Sequence, residues 1–423
     1  MKTLASLLLV AALAVAQDAA DPKPGTLTAD EAEKTLTAAE VKKHIGFFAS
    51  DELGGRDTPS EGLTKAAEYI AAEFKRLGLK GVGDDGGHIK SWEYNGEKVP
   101  NCVGLLEGSD DKLKDEVVII GGHMDHIGMQ GREVMNGADD NASGSTGVLE
   151  LAEAFASMKT RPRRSILFLT FSGEEKGLLG SAAYVKDPAV PLAKCVAMFN
   201  LDMIGRSKDD YLFIGGVGTS EPFPTMVEKA AEGIGLKIET HPGGLAPSDN
   251  TNFHLKGLPV LFFFTNVHAD YHNADDVVDK INAEGEAKIL KLAFRIVRAT
   301  ADRDERLPFT KNASQALPKD FNERMGERFG GGGGAPARNR VQLGVQTDEV
   351  DEGVKITGLT EGGAAAKAGL KAGDIITKLG ETKIADVTDL RAVLRKLKPG
   401  DAVKVTVLRD GKEESAEVKF EKP

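Results

Sequence analysis

Short apolar runs alternate with amphipathic segments from the amino-terminal region to about residue 300. The segment EGLTKAAEYIAAEFKRLGL places apolar residues at helical spacing and runs into a glycine, which predicts a helix. Helical stretches such as STGVLELAEAFASM lie between several β-type runs. This alternation predicts an α/β fold class, a three-layer αβα domain with a largely parallel central sheet. The predicted strands are VPNCVGLLEG, EVVIIGGHMDH, RSILFLTFSG, CVAMFNLDMIG, YLFIGGV and LPVLFFFTNV.

A different pattern begins after residue 340. The segments VQLGVQTDEV, VKITGL and GDIITKL predict short strands, and Leu390 and Leu394 share one face of a predicted helix. The segment AVKVTVLRDGKEESAEVKFE predicts a hairpin that turns at Asp410 and Gly411. Between the two patterns, RFGGGGGAPARNR has a run of glycines that is typical of a flexible linker.

The amino-terminal residues have the pattern of a secretory signal peptide. Lys2 supplies a positive charge, LASLLLVAALAV is apolar, and AVA at residues 14–16 is a small-x-small cleavage motif. This apolar stretch is too short to span a bilayer, and no second long apolar run follows. We therefore expect an exported protein, periplasmic or extracellular, with no transmembrane segment after signal removal. The predicted organisation is a signal peptide over 1–16, a mobile lead-in over 17–35, an α/β domain over 36–305, a flexible linker over 306–339 and a small β-rich domain over 340–423.

The composition excludes some classes of partner. The chain has 423 residues, of which 41% are hydrophobic, so two domains with real cores are expected. The formal net charge of -11 argues against binding to nucleic acid or to an anionic membrane.

Cys102 and Cys195 both lie in apolar runs. Export would permit a disulfide between them, but two buried free thiols are the favoured interpretation because so large a core needs no cross-link.

Side chains that can bind metals follow the predicted strands of the first domain. His123 and Asp125 end one strand, and their spacing puts them on one face, where Asp125 can steady the imidazole of His123. The carboxyl ends of strands in one sheet lie close together. The metal-binding side chains that follow the different strands therefore predict one shared metal site. The mix of imidazole and carboxylate suits zinc, although it does not distinguish zinc from cobalt or manganese. The further candidates are Asp139, Asp140, Glu174, Glu175, Asp202, Tyr271 and His272.

The order of these motifs resembles the family-28 metallopeptidases, the di-zinc aminopeptidases of the bacterial leucine aminopeptidase type. The likeness rests on GHMDHIG, GADDNASG, SGEEKGLLGS, NLDMIG and DYH, in that order. It implies two Zn²⁺ ions per chain, one held by His123 and Asp202 and the other by Glu175 and His272, with Asp140 bridging them. In this family the peptide bond after the bridging aspartate is often cis.

The resemblance also implies a mechanism. Glu174 would face the water held between the ions and act first as general base and then as general acid. Glu174 and Glu175 are adjacent in the sequence, and their carboxylates would repel each other. Two nearby cations would reverse this repulsion, which would explain why the glutamates lie side by side. Asp125 becomes the partner of His123, and Tyr271 would donate a hydrogen bond to the developing oxyanion. His126 receives no ligand role and is expected beside the ligands or at the surface.

Residues 341–420 resemble a PDZ domain in the circularly permuted arrangement common in bacterial envelope proteases. The likeness rests on VQLGV, AAKAGLKAGDIITKLG and DVTDLRAVLRKL. It implies that Leu343, Gly344 and Val345 offer backbone N–H groups to the terminal carboxylate of a peptide or protein. The peptide would add as a strand beside the helix that bears Leu390 and Leu394. The alternative interpretation is that these two leucines only pack the core.

Three functions are consistent with the sequence. The first is an exported di-zinc aminopeptidase that acts on peptides with free amino termini and carries a PDZ module for carboxyl termini. The second is a di-zinc carboxypeptidase or glutaminyl cyclase on the same scaffold. The third is a binding or scaffolding protein with an inactive peptidase domain, and the presence of every expected ligand argues against it.

Overall fold

The structure, a computed structural model, describes residues 23–310 and most of residues 341–420. Within the second range it leaves out positions 342, 351–352, 361, 386, 395–396, 399 and 410. The predicted signal peptide, residues 17–22 of the predicted lead-in and residues 311–339 of the predicted linker lie outside the described residues. Across the described residues, no helix combines the length and the apolar character needed to cross a membrane.

The first domain alternates strands and helices along the chain. Its helices are α1 (Ala29–Thr35), α2 (Ala38–Phe48), α3 (Glu61–Arg76), α4 (Gly144–Ser157), α5 (Leu179–Lys186), α6 (Phe223–Ala231), α7 (Asn250–Leu255) and α8 (Ala283–Ala301). Its strands are β1 (Ile89–Tyr94), β2 (Glu97–Leu106), β3 (Val117–His123), β4 (Met129–Gln130), β5 (Glu133–Val134), β6 (Ser165–Phe171), β7 (Cys195–Leu201), β8 (Tyr211–Gly215), β9 (Lys237–His241) and β10 (Val260–Phe264).

Eight of these strands form one sheet in the order β1-β2-β6-β3-β7-β10-β8-β9. The four in the middle, β6, β3, β7 and β10, all run parallel to one another. Antiparallel pairing occurs toward the edges, between β1 and β2, between β2 and β6, and between β8 and β10. The predicted largely parallel central sheet is confirmed. The carboxyl ends of the four middle strands therefore lie at the same end of the sheet.

Both faces of the central strands are covered, which explains why they appear in the sequence as continuous apolar runs. Along β3, Val118 and Ile120 belong to the core cluster that contains the buried residues of α2, α3, α4 and α8. Val117 and Ile119 belong to the opposite cluster, which contains Tyr184 of α5. Successive side chains of a strand point to opposite faces, so this split is the three-layer αβα arrangement. Cys102 and Cys195 are buried free thiols, as favoured from the sequence.

The first domain extends further at both ends than the sequence predicted. Helix α1 lies inside the segment predicted to be a mobile lead-in. Thr28 and Glu31 form a capping box at its start, and Ala32 is fully buried. At the other end, Leu307 is buried and Arg306 donates a hydrogen bond to a backbone carbonyl. Residues 29–35 thus form a capped helix that the polar composition did not predict, and buried residues occur beyond position 305.

The second domain is a small antiparallel sheet with two short helices. Its strands are β11 (Val345–Val350), β12 (Gly353–Leu359), β13 (Ile375–Leu379), β14 (Thr382–Lys383), β15 (Ala402–Arg409) and β16 (Lys412–Lys419), and its helices are α9 (Ala364–Lys367) and α10 (Val387–Leu394). The strand order is β11-β12-β13-β15-β16, with β14 on β13. Arg409 pairs with Lys412, so the hairpin turns where the sequence predicts it. The domain has its own apolar core, which includes Ile356 and Val405.

The contact between α4 and α8 gives a test of the core of the first domain. The rings of Phe155 and Phe294 stack with centroids 4.4 Å apart, and both side chains are fully buried. Phe294→Ala should lower the free energy of unfolding by about 3–5 kcal/mol, because it removes a buried ring and leaves a cavity. The fluorescence of Trp92, the chain's one tryptophan, reports denaturant unfolding of this domain.

Leu255 provides the control, because it is 45% exposed on α7. Leu255→Ala should change stability by no more than about 0.5 kcal/mol. Equal losses in the two variants would contradict the assigned core.

Candidate metal centre

The side chains predicted to bind metal meet at the carboxyl ends of the four parallel middle strands. His123 is the last residue of β3, and Asp202 follows β7 directly. Glu175 lies on the loop after β6, and His272 on the loop after β10. Asp140 lies on the buried turn that leads into α4. The strand order therefore brings together residues that are far apart in the sequence. His123 and His272 are separated by 149 positions (272 minus 123).

One group of donor atoms gathers around His123. Its Nε2 atom lies 3.4 Å from Asp140 Oδ1, 3.5 Å from Asp202 Oδ1 and 4.0 Å from Glu174 Oε2. On the other side of the ring, Nδ1 lies 3.1 Å from the backbone carbonyl of Asp125. A carbonyl oxygen only accepts, so Nδ1 carries the hydrogen and Nε2 presents its lone pair to the group.

Asp125 adjoins His123, and its carboxylate makes a further contact that the sequence did not predict. Its Oδ1 lies 3.7 Å from His123 Nδ1, farther than the backbone carbonyl of the same residue. The same Oδ1 also accepts a hydrogen bond from the backbone N–H of Glu174 at 3.2 Å. The backbone of Asp125 thus orients the imidazole, and its side chain holds the loop that carries Glu174.

A second group of donor atoms lies on the other side of Asp140. His272 Nε2 is 3.0 Å from Asp140 Oδ2 and 3.2 Å from Glu175 Oε1. His126 Nδ1 is 2.9 Å from the same Glu175 oxygen and 3.7 Å from Asp140 Oδ2. His126 is fully buried, so a surface position for it is wrong. Asp140 directs one oxygen to each group, which is the geometry of a bridging carboxylate.

This donor set fits divalent cations. Asp140 Oδ2 and His272 Nε2 are buried, and no described residue gives either atom a hydrogen bond of good geometry. Several carboxylates are crowded into a buried space, where unneutralised charge is costly. Imidazole nitrogen with carboxylate oxygen is the ligand mixture that zinc accepts. The two groups that share Asp140 therefore suit a pair of cations.

The two adjacent glutamates have opposite electrostatic environments. Burial raises the pKa of Glu174 well above its ordinary value; His123 opposes this shift, and Glu175 and Asp202 add to it. Burial would also raise the pKa of Glu175, but His272 and His126 outweigh it and hold that pKa well below its ordinary range. Neighbouring carboxyl groups whose pKa values are pushed apart are suited to different roles. Glu175 is suited to stay ionised as a ligand, and Glu174 to exchange a proton.

Tyr271 lies against one of the candidate ligands. Its ring stacks on that of His272 with centroids 3.8 Å apart and an interplanar angle of 15°. Burial raises the pKa of Tyr271 well above its ordinary value, and the carboxylates of Asp140 and Glu175 raise it further. The phenol therefore keeps its proton and remains a hydrogen-bond donor at neutral pH.

The turn that carries Asp140 is held from two sides. The backbone N–H groups of Asp139 and Asp140 donate to Asp276 Oδ2 at 2.9 and 3.1 Å. The peptide bond between Asp140 and Asn141 is cis, as the resemblance implies. The side chain of Asn141 then donates to the carbonyl of Leu201 at the end of β7. These contacts fix the shared carboxylate relative to the strands on which its neighbours lie.

Sequence reasoning did not predict the contacts that hold these loops together. Arg56 is fully buried and donates to the carbonyls of Met124, Asn136 and Gly137 at 3.0, 2.8 and 3.0 Å. It thereby joins the loop after β3 to the turn before α4. Ser248 donates to Asp202 Oδ2 at 2.6 Å. A guanidinium that binds backbone carbonyls, or a hydroxyl that binds a distant carboxylate, has no characteristic spacing, so the sequence carried no signal for these contacts.

Thr58 links two of the metal-binding loops through one hydroxyl. Its Oγ1 donates to Asp125 Oδ2 at 2.9 Å and accepts from the backbone N–H of Gly173 at 3.0 Å. Gly173 directly precedes Glu174. The hydroxyl is fully enclosed, because Thr58 is 1% exposed. The relative position of His123 and Glu174 therefore depends on a residue far away in the sequence.

Two protein families match this chain. Residues 101–297 match the model of peptidase family M28, and residues 341–420 match the model of a PDZ domain. The first domain belongs to peptidase family M28, and the second is a PDZ domain. The matched part of the M28 domain runs from β2 to α8 and includes every candidate ligand.

Individual relatives agree with this assignment. A probable zinc metalloprotease of Pyrenophora tritici-repentis is 32% identical over 222 residues, which are 46% of this chain and 48% of that protein. Aminopeptidase YwaD of Bacillus subtilis is 26% identical over 310 residues, 71% of this chain and 66% of that protein. The chain spans about half the length of the first curated relatives that it matches.

A solved structure supports the fold of the M28 domain. The LapA aminopeptidase of Legionella pneumophila aligns with a TM-score of 0.54 at 21% identity, covering 72% of this chain and 81% of that one. At this level of identity the likeness concerns the fold. It agrees with the αβα layers and the parallel middle strands described above.

The residues predicted to bind peptides lie at one edge of the PDZ sheet. Leu343 is buried, Gly344 has a left-handed φ of 74°, and Val345 begins β11. Strand β11 pairs with β12 and ends the strand order of the described sheet. Leu390 is 4% exposed in the core, whereas Leu394 is only partly buried against it. Leu390 thus packs in the core of the PDZ domain, and Leu394 lies at its margin.

The hydroxyl of Thr58 gives a test of how the centre is held. Thr58→Val should weaken zinc binding about 10–100-fold, because partners that orient ligand loops have effects of this size. It should also lower the free energy of unfolding by about 1–3 kcal/mol, because Asp125 loses a buried hydrogen bond. Zinc affinity is measured by competition with a chelator, and stability by the fluorescence of Trp92.

Thr58→Ser is the matched control, because it keeps the hydroxyl and removes only a methyl group. Its zinc affinity should stay near that of the unmodified protein. If Thr58→Val binds zinc as tightly as Thr58→Ser, the hydroxyl does not position the loops.

Proposed function

We propose that this protein is an exported di-zinc aminopeptidase that removes amino-terminal residues from peptides, and that its PDZ domain binds the carboxyl termini of peptides or proteins. The observation that carries the proposal is the pair of donor groups that share Asp140 beside Glu174. Membership of peptidase family M28 supports peptide hydrolysis. Relatives named as aminopeptidases and zinc metalloproteases support the substrate class and the metal. Export is inferred from the amino-terminal leader pattern.

Two Zn²⁺ ions would be held by the two donor groups, with Asp140 common to both. His123 and Asp202 would complete one position, and Glu175 and His272 the other. Such ions, when bound, polarise the scissile carbonyl and lower the pKa of the attacking water. Cobalt or manganese would use the same donors, so metal analysis of the isolated protein identifies the ion.

Glu174 is the proposed general base and general acid. Its side chain is 11% exposed and its backbone N–H is bound by Asp125, so the carboxylate is enclosed and its loop is fixed. Burial raises the pKa of Glu174, and this direction favours transfer of a proton from the attacking water to the carboxylate. The same proton is then available for the departing amine. The bond that breaks is the amide C–N bond, and the new C–O bond forms from the water.

Tyr271 is the proposed donor to the oxyanion. A tetrahedral intermediate places negative charge on the former carbonyl oxygen, and a preorganised donor there lowers the barrier. The raised pKa of Tyr271 supports this role, because a protonated phenol donates and a phenolate does not. Its stacking on His272 limits the movement of the ring.

The charged groups around the centre favour a substrate with a free amino terminus. A carboxypeptidase needs a cationic side chain for the terminal carboxylate of its substrate. Among the described residues, three cationic side chains near the candidate loops contact other groups of the protein. Arg56 is buried on backbone carbonyls, Arg206 pairs with Asp270, and Lys176 pairs with Asp57. A panel of peptides tests this choice, because an aminopeptidase hydrolyses unblocked peptides and spares amino-blocked ones, whereas a carboxypeptidase accepts both.

Substitution of Glu174 tests the chemical step. Glu174→Gln should lower kcat about 10²–10⁴-fold on an unblocked aminoacyl substrate, because an amide cannot exchange the proton. Zinc content should stay unchanged, since Glu174 is not a proposed ligand. Glu93→Gln is the control, because Glu93 is exposed on β1. Turnover by Glu174→Gln at the rate of the control would exclude the assigned role.

The PDZ proposal rests on the edge strand and the loop before it. The carbonyls of Leu343 and Gly344 accept hydrogen bonds from the N–H groups of Ala365 and Thr360, both at 2.9 Å. These bonds hold the loop in a fixed shape, as a site for a carboxylate requires. A peptide would add to β11 as a further strand. Leu394, only partly buried, is the residue of α10 proposed to contact it.

The tethered PDZ domain should increase the local concentration of long substrates at the M28 domain. Deleting residues 335–423 should therefore slow hydrolysis of long peptides more than that of aminoacyl-amides, which are too short to reach both domains. The two rates are compared as kcat/KM at low substrate concentration. Equal slowing of both substrates would show that the PDZ domain does not deliver peptides.

A further inference from the structure

His126 lies within the second donor group, although neither the motifs nor the proposed pair of ions accounts for it. It is fully buried, and its Nδ1 lies 2.9 Å from Glu175 Oε1. Four residues of this group each contribute one potential metal-ligand atom, and these four atoms lie within 4.8 Å of one another. The residues are His126, Asp140, Glu175 and His272. Within the described residues, the group around His123 consists of Glu174, Asp202 and Asp140, whose Oδ1 lies 3.4 Å from His123 Nε2.

The distances within this group match the edges of a tetrahedron around zinc. With zinc bonds of about 2.0–2.1 Å, the ligand atoms of a tetrahedral site lie roughly 3.3 Å apart. The two distances from His126 Nδ1 are 2.9 Å to Glu175 Oε1 and 3.7 Å to Asp140 Oδ2. The two from His272 Nε2 are 3.0 Å to Asp140 Oδ2 and 3.2 Å to Glu175 Oε1. His126 therefore occupies a vertex equivalent to that of His272.

The ring of His126 is fixed in this orientation by its surroundings. Gly137 lies against it: a Cβ atom there would come within 2.5 Å of the ring, and the φ of 55° also favours glycine. The backbone N–H of His126 donates to the carbonyl of Arg56 at 3.2 Å. The ring of His126 also contacts the ring of His272 edge-on, with centroids 5.5 Å apart. Its Nε2 has no hydrogen-bond partner in the described part of the chain, so Nδ1 is the nitrogen that faces polar atoms.

We infer that His126 is a metal ligand through Nδ1 and completes a four-donor position with Asp140, Glu175 and His272. This inference rests on the proposed di-zinc function. It makes the two positions unequal. The position of Glu175 and His272 would then have four protein donors, and that of His123 and Asp202 would have three. Glu174 lies beside the position with fewer donors.

The competing explanation is that His126 only donates a hydrogen bond to Glu175. In that case Nδ1 carries the hydrogen and the ring orients the carboxylate without touching the metal. The two explanations differ in what replaces the imidazole. An asparagine at position 126 keeps an N–H donor near the place of Nδ1, yet its amide is a poor zinc ligand.

The experiment is zinc titration of the full chain against a chelator, with no substrate present, for the unmodified protein, His126→Asn and His126→Leu. The unmodified protein should bind two zinc ions. Both variants should keep one tight ion and bind the second more than 100-fold more weakly, beyond the 10–100-fold effect of a residue that merely orients a ligand. His88→Asn is the control, because His88 binds a backbone carbonyl in another part of the domain. It should retain both ions.

Zinc K-edge absorption of the unmodified protein gives a second readout that does not depend on the folding of any variant. Three imidazoles per two zinc ions are expected, from His123, His126 and His272. Two imidazoles per two ions, or tight binding of both ions by His126→Asn, would overturn the inference and leave the proposed function intact. Failure of the unmodified protein to bind two ions would instead overturn the proposed function, and this inference with it.

Discussion

The carboxylate of Asp140 faces two clusters of donor atoms at once, with Oδ1 3.4 Å from His123 and Oδ2 3.0 Å from His272. No other described side chain belongs to both clusters, so the centre depends on the position of this one group. The fold supplies that position. Parallel strands bring the loops to one edge of the sheet, and the turn before α4 carries Asp140 between them. Asp276 then binds two successive backbone N–H groups of the turn.

The same constraint determines the electrostatics of the site. Enclosing several carboxylates in a buried space is unfavourable unless cations or imidazoles compensate their charge. The two adjacent glutamates differ in this respect. Histidines lower the pKa of Glu175, whereas burial raises the pKa of Glu174. Adjacent residues in the sequence thereby acquire different chemistry. The difference arises because Glu175 points toward His272 and His126, whereas Glu174 lies on the side of His123.

Strong, repeated patterns were predictable from the sequence, and single contacts were not. The apolar runs that became β3, β6, β7 and β10 are buried on both faces, and the residues at their ends are of metal-binding types, so the sheet and the convergence of side chains could be predicted. The exact direction of the His126 ring was not predictable, because it is set by the loop after β3 and by Gly137 and not by strand alternation. The contacts of Thr58 and Arg56 were not predicted, because these residues bind carbonyls, an amide and a carboxylate across long separations in the sequence. Helix α1 was missed because a local capping box outweighed a polar composition.

The account depends most on two cations bound around Asp140, and anomalous diffraction at the zinc edge tests this most directly. Crystals of the zinc-loaded protein should give two anomalous peaks, one between His123 and Asp202 and one between Glu175 and His272. Each peak should lie about 2.0–2.2 Å from an oxygen of Asp140. A single peak, or peaks away from these side chains, would contradict the account.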